Sequence, residues 1–261
     1  MTERLRTARE RSLPTAREME EMESCRVYTN QELAVYCPGL SLLLDFITED
    51  EETAICEELD QESWDDRLSR RVQHYGYEFD YATRLAISNG LTNSRAFPSR
   101  CSALIRQLPD RVAGLGFNQL TVNEYLPGRG IAPHVDSHSC FGDLMLSVSL
   151  LADTCIRFVP RSSRLEGREG IQRVNLWVPR RAVLLMEGPS RFAFSHGIAS
   201  RKSDLVDGVV VPRGARRVSL TFRIIRVPEG CACDYPDTCE AQELKMKPPR
   251  LAPRVSPIVQ Q

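Results

Sequence analysis

The chain has 261 residues, of which 42% are hydrophobic and 26% are charged, and 34 lysines and arginines balance 35 aspartates and glutamates. This composition is typical of a globular protein and excludes collagen-like, disordered and disulfide-scaffold chains. No apolar run approaches the roughly 20 residues that cross a membrane, and the charged start of the chain is unlike a signal peptide. We therefore expect a protein of the cytosol or nucleus, without a membrane partner and with its nine cysteines reduced.

The predicted elements begin after a charged N-terminal arm, residues 1–28, which has too few apolar positions to pack firmly. Thr48 followed by Glu51 fits a capping box and predicts a helix of about three turns. A second short helix is predicted after Pro98. Farther on, short runs with period-two alternation predict strands. These strands cover residues 117–126, 144–151, 154–159, 173–178, 181–187, 191–195 and 217–227.

Helices followed by many short strands predict an α+β chain. Its core is expected to be a double-sheet β structure of jelly-roll type. Residues 29–240 are predicted to form this single domain. The proline-rich residues 241–261 are predicted to be a disordered tail.

Charge is distributed unevenly along the chain. Residues 1–156 carry 15 basic and 25 acidic residues, whereas residues 157–226 carry 15 basic and 5 acidic residues. We interpret the acidic stretch at residues 45–66 as a solvated face, which is the usual role of a charge run. For the arginine-rich stretch, a solvated face and a surface for a polyanion are equally open.

The sharpest motif is His134-Val-Asp136, which follows a glycine-rich turn at residues 127–130. In an extended segment, residues two apart face the same side, so both side chains can bind one metal ion. Two histidines and one carboxylate form the ligand set of non-haem Fe(II) oxygenases. His196, on a strand that ends in His-Gly, is a better second histidine than His74, which has no such setting. The alternative for an isolated H-x-D motif is a surface histidine beside an aspartate.

Arg217 and Arg223 are six residues apart, so in one strand both side chains lie on the same face. Inside a cavity, two guanidinium groups need a carboxylate because they cannot be neutralised. A dicarboxylic acid held bidentately meets that need, and a solvated arginine face is the alternative. Asn123 and Tyr125 also lie two apart, and they either add an amide and a phenol to the same ligand or form an ordinary polar strand face.

Three cysteines lie close together near the C-terminus, at Cys231, Cys233 and Cys239. This spacing suits a structural zinc ion with one further ligand, because the surrounding stretch has little capacity to form a core. His138 and Cys140 are the candidates for that ligand, and we favour His138 because the iron set does not need it. The alternative is free cysteines that pack as small hydrophobic residues.

In chain order, the motifs N-x-Y, H-x-D, a distant histidine and R-x5-R resemble the AlkB branch of the Fe(II)- and 2-oxoglutarate-dependent dioxygenases. The strings NEYLPGRGIAPHVDSHS and RRVSLTFR and the C-x-C-x5-C ending are similar to the AlkB domain of the eukaryotic tRNA wobble-uridine hydroxylases. The resemblance covers residues 40–240. It implies a double-stranded β-helix, or jelly-roll, with the N-terminal helices packed on it and a zinc-binding segment at its C-terminal end.

The resemblance also implies a role for each motif residue. The implied contacts are, for iron, His134, Asp136 and His196; for the distal carboxylate of 2-oxoglutarate, Arg217 and Tyr125; for its iron-chelating end, Asn123 and Arg223; and for structural zinc, His138, Cys231, Cys233 and Cys239.

The implied activity is hydroxylation of 5-methoxycarbonylmethyluridine at the wobble position of tRNA. Animal members carry an RNA-recognition domain before this unit and a methyltransferase after it, and this chain has room for neither. We therefore expect a separate RNA-binding or methyltransferase partner, or phosphate contacts from the basic stretch. The arginines expected to make such contacts are Arg161, Arg164, Arg168 and Arg173.

Two other functions fit the motifs. One is oxidative demethylation of N-alkylated RNA or DNA bases or of a protein side chain, which releases formaldehyde. The other, of a different class, is a zinc-stabilised nucleic-acid-binding module without catalysis.

Overall fold

The computed structural model describes residues 22–66, 70–80, 85–87, 95–226 and 231–242. The helices are α1 (Asn30–Tyr36), α2 (Glu49–Asp60), α3 (Ser99–Arg106), α4 (Asp110–Ala113) and α5 (Gly188–Phe192). The strands are β1 (Leu40–Leu43), β2 (Arg71–Gly76), β3 (Glu78–Asp80), β4 (Leu85–Ile87), β5 (Gln119–Tyr125), β6 (Ile131–His134), β7 (Leu144–Leu150), β8 (Thr154–Pro160), β9 (Val174–Val178), β10 (Val183–Glu187), β11 (Phe194–Ile198), β12 (Ser203–Val206), β13 (Val209–Pro212) and β14 (Arg217–Arg223). None of the described helices is long and apolar enough to span a bilayer.

Two antiparallel sheets form the core of the molecule. The larger sheet has the strand order β1-β10-β7-β14-β5-β2, and the smaller sheet has the order β6-β11-β8-β9. Buried apolar side chains from both sheets form one cluster, which includes Leu184 and Met186 of β10 and Phe158 of β8. Two sheets with a shared apolar core are the sandwich that was predicted, so the α+β jelly-roll core is confirmed.

The helices cover the other face of the larger sheet. A second apolar cluster joins Val148 of β7 and Leu220 of β14 to Ile55 and Leu59 of α2 and to Leu104 of α3. The period-two alternation of these strands therefore separates a helix-covered apolar face from the face that looks toward the smaller sheet.

Both predicted helices are present. Thr48 and Glu51 form the predicted capping box, in which Thr48 N–H donates to the glutamate at 2.8 Å and Glu51 N–H donates to the threonine hydroxyl at 3.2 Å. A further helix, α1, has the same box at Thr29 and Glu32 and was not predicted.

One strand prediction is wrong in its first half. Residues 188–192 form the short helix α5, with Pro189 in its first turn, and the strand begins only at Phe194. The alternating sequence around Arg191 is typical of a strand, but the arginine side chain is buried against a neighbouring loop instead of facing solvent. The short strands β1–β4, β6, β12 and β13 were also not predicted.

The two chain ends lie mostly outside the described residues. Of the predicted N-terminal arm, residues 22–28 are described, and Cys25 and Arg26 form parallel bridges with Val206 and Leu176. Of the predicted disordered tail, only residues 241–242 are described.

Candidate functional site

Strands β6 and β11 bring two histidines face to face. Their register places His134 opposite His196, with ring centroids 4.4 Å apart. Asp136 follows just after β6, and its Oδ2 lies 4.0 Å from His134 Nε2 and 3.4 Å from His196 Nε2. The three ligand atoms lie within 4.8 Å of one another. The residues predicted to bind iron therefore meet at one point, in the two-histidine, one-carboxylate set.

The protonation states of these side chains suit a cation. His134 Nδ1 lies 2.8 Å from the carbonyl oxygen of Ala132, which can only accept, so Nδ1 carries the proton and Nε2 is left as a ligand atom. Burial, and then the neighbouring His134, lowers the pKa of His196 to about 3, so this ring is neutral at physiological pH. Neutral imidazole is the form that binds a metal.

Asp136 is held as a carboxylate. Burial by itself would raise the pKa of Asp136, but the positive charge of the neighbouring Arg223 guanidinium opposes this effect most strongly, and the pKa is lowered. Arg223 Nη2 donates to Asp136 Oδ1 at 2.9 Å. The other oxygen, Oδ2, is buried and has no hydrogen-bond partner among the described residues. Because buried polar atoms are normally paired, this oxygen fits a metal ligand.

These residues open into a cavity of about 660 Å³ between the two sheets. This volume is in the usual range for small-molecule and cofactor sites. Strands β5 and β14 supply the polar wall, and their intervening apolar residues face the helices, as the R-x5-R spacing predicted. The side chains of this wall are Thr121, Asn123, Tyr125, Arg217, Ser219, Thr221 and Arg223.

Arg217 is a buried cation in this cavity. Its Nε donates to Ser149 Oγ at 2.9 Å, and its guanidinium carbon lies 5.4 Å from the ring centroid of Tyr125. Burial lowers the pKa of Arg217 to about 10, so the group is still charged at neutral pH. Its Nη1 is buried without a hydrogen-bond partner in the described part of the chain. A buried guanidinium in this state fits a ligand carboxylate.

Arg223 and Asn123 lie in the same cavity and contact protein groups. Arg223 binds Asp136, and its Nε is buried without a partner in the described ranges. Asn123 Oδ1 accepts a hydrogen bond of 2.7 Å from Nε of Arg70, a cavity residue that the sequence analysis missed. The structure therefore places both predicted residues in the cavity and adds a third cation.

The C-terminal cysteines meet a histidine from the loop after β6. The ligand atoms of His138, Cys231, Cys233 and Cys239 lie within 4.8 Å of one another, and His138 Nδ1 is 3.3 Å from Cys233 Sγ. Burial, and then the charge of Arg191, lowers the pKa of His138 to about 4. Burial raises the pKa of Cys233 to about 12. Of the two candidates for the fourth ligand, His138 is the one in this cluster.

Two further residues act on the loop that carries Asp136. Arg191 donates to the carbonyl oxygens of Asp136 and Ser137 at 2.9 and 2.7 Å. Glu240 accepts hydrogen bonds from the backbone N–H groups of His138 and Ser139. The sequence signal for Arg191 is a single charge in an otherwise apolar run, and we find no local signal for Glu240.

The predicted phosphate-binding arginines divide into two groups. Arg173 pairs with Glu23 at 2.5 Å, and Arg161 donates to Ser195 Oγ at 2.8 Å. Arg164 and Arg168 form no ion pair with the described residues. Among the described residues, only Arg173 of these four arginines has an ion-pair partner, because the hydrogen bond to the neutral Ser195 hydroxyl leaves the charge of Arg161 uncompensated.

Comparisons with known proteins agree with this geometry. The family model of the 2OG-Fe(II) oxygenase superfamily matches residues 39–223. The chain is 38% identical to the "Alkylated DNA repair protein ALKBH8 homolog" of Arabidopsis thaliana over 79% of this chain and 63% of that protein. It is 32% identical to the "tRNA (carboxymethyluridine(34)-5-O)-methyltransferase alkbh8" of Xenopus tropicalis over 79% of this chain and 34% of that protein.

The chain thus spans less than two thirds of the length of these relatives. Among solved structures, that titled "The structure of OsALKBH1" shares the fold, with a TM-score of 0.52 and 17% identity over 71% of this chain and 96% of that chain. The family match covers most of the described core and all three residues of the histidine–aspartate–histidine cluster. The chain therefore belongs to the 2OG-Fe(II) oxygenase superfamily and is an AlkB-type Fe(II)- and 2-oxoglutarate-dependent dioxygenase.

Proposed function

We propose that this dioxygenase hydroxylates 5-methoxycarbonylmethyluridine at the wobble position of tRNA. The main support for this proposal is that one cavity contains both the histidine–aspartate–histidine cluster and the buried cation Arg217. The substrate choice rests on the relatives from Xenopus and mouse, which are named as methyltransferases of carboxymethyluridine 34 in tRNA. Methylation of that carboxylate makes the ester that we propose as substrate.

Different cavity residues would bind the iron and the 2-oxoglutarate. His134 Nε2, His196 Nε2 and Asp136 Oδ2 would hold Fe(II). When bound together with 2-oxoglutarate and oxygen, the iron supplies the oxidant that removes hydrogen from a substrate C–H bond. Arg217 would hold the distal carboxylate of 2-oxoglutarate, because its Nη1 is a buried donor without a partner among the described residues.

The other cavity residues orient these groups. Ser149 and Tyr125 hold the guanidinium of Arg217 in place. Arg223 keeps Asp136 ionised and oriented, and with Asn123 it would serve the chelating end of 2-oxoglutarate. Apolar side chains of both sheets line the rest of the cavity and exclude water, which preserves the reacting geometry. These side chains are Ile131, Met145, Ile156, Leu184 and Met186.

We infer that His138 and the three clustered cysteines hold a structural zinc ion. One nitrogen and three sulfur ligands form a tetrahedral set of the kind that zinc prefers. Binding of a dication also favours the thiolate form of these buried cysteines, because metal binding displaces the thiol protons. Elemental analysis of the purified protein should find about one zinc per chain, and Cys231→Ser should lose it. A wild-type protein without zinc would contradict this assignment.

For the RNA, we propose phosphate contacts from Arg164 and Arg168, which form no ion pair within the described ranges. A separate RNA-binding or methyltransferase partner, and a location in the cytosol or nucleus, belong to the same proposal.

The test uses purified protein with Fe(II), 2-oxoglutarate and tRNA that carries 5-methoxycarbonylmethyluridine, followed by digestion to nucleosides and mass spectrometry. The expected product is the same uridine with one added oxygen. His134→Ala should abolish the product, while His74→Gln, which changes a histidine outside the cavity lining, should retain it.

The other outcomes are distinct. Formaldehyde release from N-methylated bases, without oxidation of the wobble uridine, would identify a demethylase instead. Binding of RNA by a protein that consumes no 2-oxoglutarate would identify a module without catalysis. Equal activity on unmodified uridine would refute the proposed substrate.

A further inference from the structure

The loop that carries the iron-ligand candidate Asp136 is held by a carboxylate from the far end of the chain. Glu240 accepts from the backbone N–H groups of His138 at 3.1 Å and Ser139 at 2.9 Å. Its Oε1 also accepts from the hydroxyls of Ser137 at 2.5 Å and Ser139 at 2.8 Å. One side chain thus fixes three consecutive residues directly after Asp136.

A buried arginine holds the same loop through its other backbone groups. Arg191 is 2% exposed, and its Nη1 and Nη2 donate to the carbonyl oxygens of Asp136 and Ser137. The cation Arg191 therefore donates hydrogen bonds to carbonyl oxygens of the loop, and the anion Glu240 accepts hydrogen bonds from its backbone N–H groups. Hydrogen bonds to charged groups are about twice as strong as neutral ones, so this arrangement restricts the loop strongly.

Glu240 is itself fixed by its neighbours along the chain. It follows Cys239, a member of the cysteine cluster. Thr238 Oγ1 donates to the carbonyl oxygen of Phe192 at 2.8 Å. Asp237 accepts from the hydroxyl of Ser162 at 2.7 Å. The segment at residues 237–240 is thus anchored to two other parts of the fold, and it lines the cavity.

Glu240 accepts four hydrogen bonds, two from backbone N–H groups and two from hydroxyls, which is the pattern that suits a carboxylate. An ionised carboxylate can accept all four of these hydrogen bonds, whereas an amide of the same shape presents a donor at one of its two ends.

We propose that Glu240 is a positioning residue that fixes the Asp136 loop and so couples the cysteine cluster to the affinity of the iron site. The inference rests on the iron and zinc sites of the proposed function. A metal ligand must be held to within about 0.5 Å of its binding geometry, and residues that orient ligands contribute roughly 10- to 100-fold to metal affinity. Glu240 contacts the loop within three residues of Asp136 without contacting the cavity-facing oxygen of the ligand itself.

The chain offers a matched control. Asp234 also follows a clustered cysteine, Cys233, and it is exposed. Glu240→Gln and Asp234→Asn therefore remove the same charge at equivalent places relative to the cluster. Only the first variant introduces a donor against the backbone N–H groups of the loop.

The experiment is a titration of the protein with Fe(II) in the presence of 2-oxoglutarate and without oxygen. The visible charge-transfer absorption of the complex reports binding and gives the Kd for Fe(II). Zinc content and thermal unfolding are measured on the same samples. We expect Glu240→Gln to raise the Kd for Fe(II) by about 10-fold while zinc stays at the wild-type level. Glu240→Ala should raise the Kd further, and Asp234→Asn should leave it within about twofold.

Three results would overturn the inference. The first is a wild-type Kd for Fe(II) in Glu240→Gln, and this variant decides the matter if Glu240→Ala does not fold. The second is equal weakening in Asp234→Asn, which would show a general charge effect. The third is loss of zinc from Glu240→Gln, which would assign the effect to the cysteine cluster itself. A wild-type protein that binds no Fe(II) would instead refute the iron site and, with it, the proposed function.

Discussion

The two candidate metal clusters are built from different kinds of structure. His134 and His196 lie opposite each other in paired strands, and His196 is also paired with Phe158 on its other side. The cysteines lie in an irregular segment whose described backbone hydrogen bonds are local turns, such as that from Thr238 N–H to Tyr235 O at 3.3 Å. The sheet holds the two histidines of the first cluster, whereas the second cluster depends on side chains from elsewhere and on the metal ion that we propose.

Because of this difference, we expect loss of a ligand to affect catalysis at the first cluster and stability at the second. An iron ligand removed from a sheet leaves the backbone ladder intact, so the fold should remain and the chemistry should be lost. A zinc ligand removed from an irregular segment leaves few other contacts to order that segment, so stability should fall. Two predictions test this contrast, and two more extend the separation of function from stability to the arginines, in order of decreasing expected effect.

The largest expected effect is on turnover. His134→Ala should reduce 2-oxoglutarate consumption by about 1,000-fold or more, because it removes one of three iron ligands. The midpoint of thermal unfolding should shift by only a few degrees, since the side chain is partly exposed and its strand pairing is unchanged. Succinate formation and a thermal scan measure the two quantities. A large fall in the unfolding midpoint would show that this histidine supports the fold as well.

The cysteine cluster should show the reverse behaviour. Cys239→Ser should lower the unfolding midpoint by several degrees and speed proteolysis within residues 231–242, because the segment loses its metal. Cys56→Ala is the control, since Cys56 is a buried cysteine outside the cluster and its loss should leave zinc content unchanged. Equal protease resistance of Cys239→Ser and wild type would contradict a metal-dependent segment.

Two adjacent arginines should respond in opposite directions. Arg217→Met should raise the KM for 2-oxoglutarate by about 100-fold, because it removes the buried donor for a carboxylate. The protein without 2-oxoglutarate should be as stable as wild type or more so, since an unpaired buried charge is lost. Arg216→Met should destabilise the fold with little change in KM, because Arg216 pairs with Asp60 and Glu124. A co-substrate assay and thermal unfolding distinguish the two, and identical behaviour would remove Arg217 from the co-substrate site.

The smallest expected effect concerns RNA binding. Arg168→Ala should weaken tRNA binding and reduce the slope of log affinity against log salt by about 1. Arg173→Ala should have a smaller effect on both quantities, because Glu23, which also pairs with Arg157, partly neutralises this arginine. Fluorescence anisotropy at several salt concentrations provides the measurement. Equal effects of the two substitutions would mean that the ion pair with Glu23 does not decide which of these arginines contacts the RNA.

The predictable part of the fold follows from local patterns. Strands β5, β7–β10 and β14 were predicted because each has an apolar face, which packs in one of the two apolar clusters. Strand β6 was missed because it has only four residues and contains Pro133, so its pairing depends on the neighbouring β11. Helix α1 had a detectable signal, the capping box of Thr29 and Glu32.

The site was predictable to the extent that spacing places residues on one face. The separations within H-x-D and R-x5-R are even, and in strands such residues share a side. Arg70, Arg191 and Glu240 were missed because each acts across a long chain separation on backbone or side-chain atoms that no local pattern identifies.

The sequence by itself determined the chemistry: the ligand types, their local spacing, the order of the motifs and the apolar alternation that makes a two-sheet core. These features depend on side-chain identity and on the geometry of a single strand. Only the tertiary structure decided that His196 lies opposite His134, that Nη1 of Arg217 is buried in the cavity wall, and that Glu240 holds the loop of Asp136. The reason is that strand register and long-range contacts arise from packing between distant segments, which local patterns do not specify.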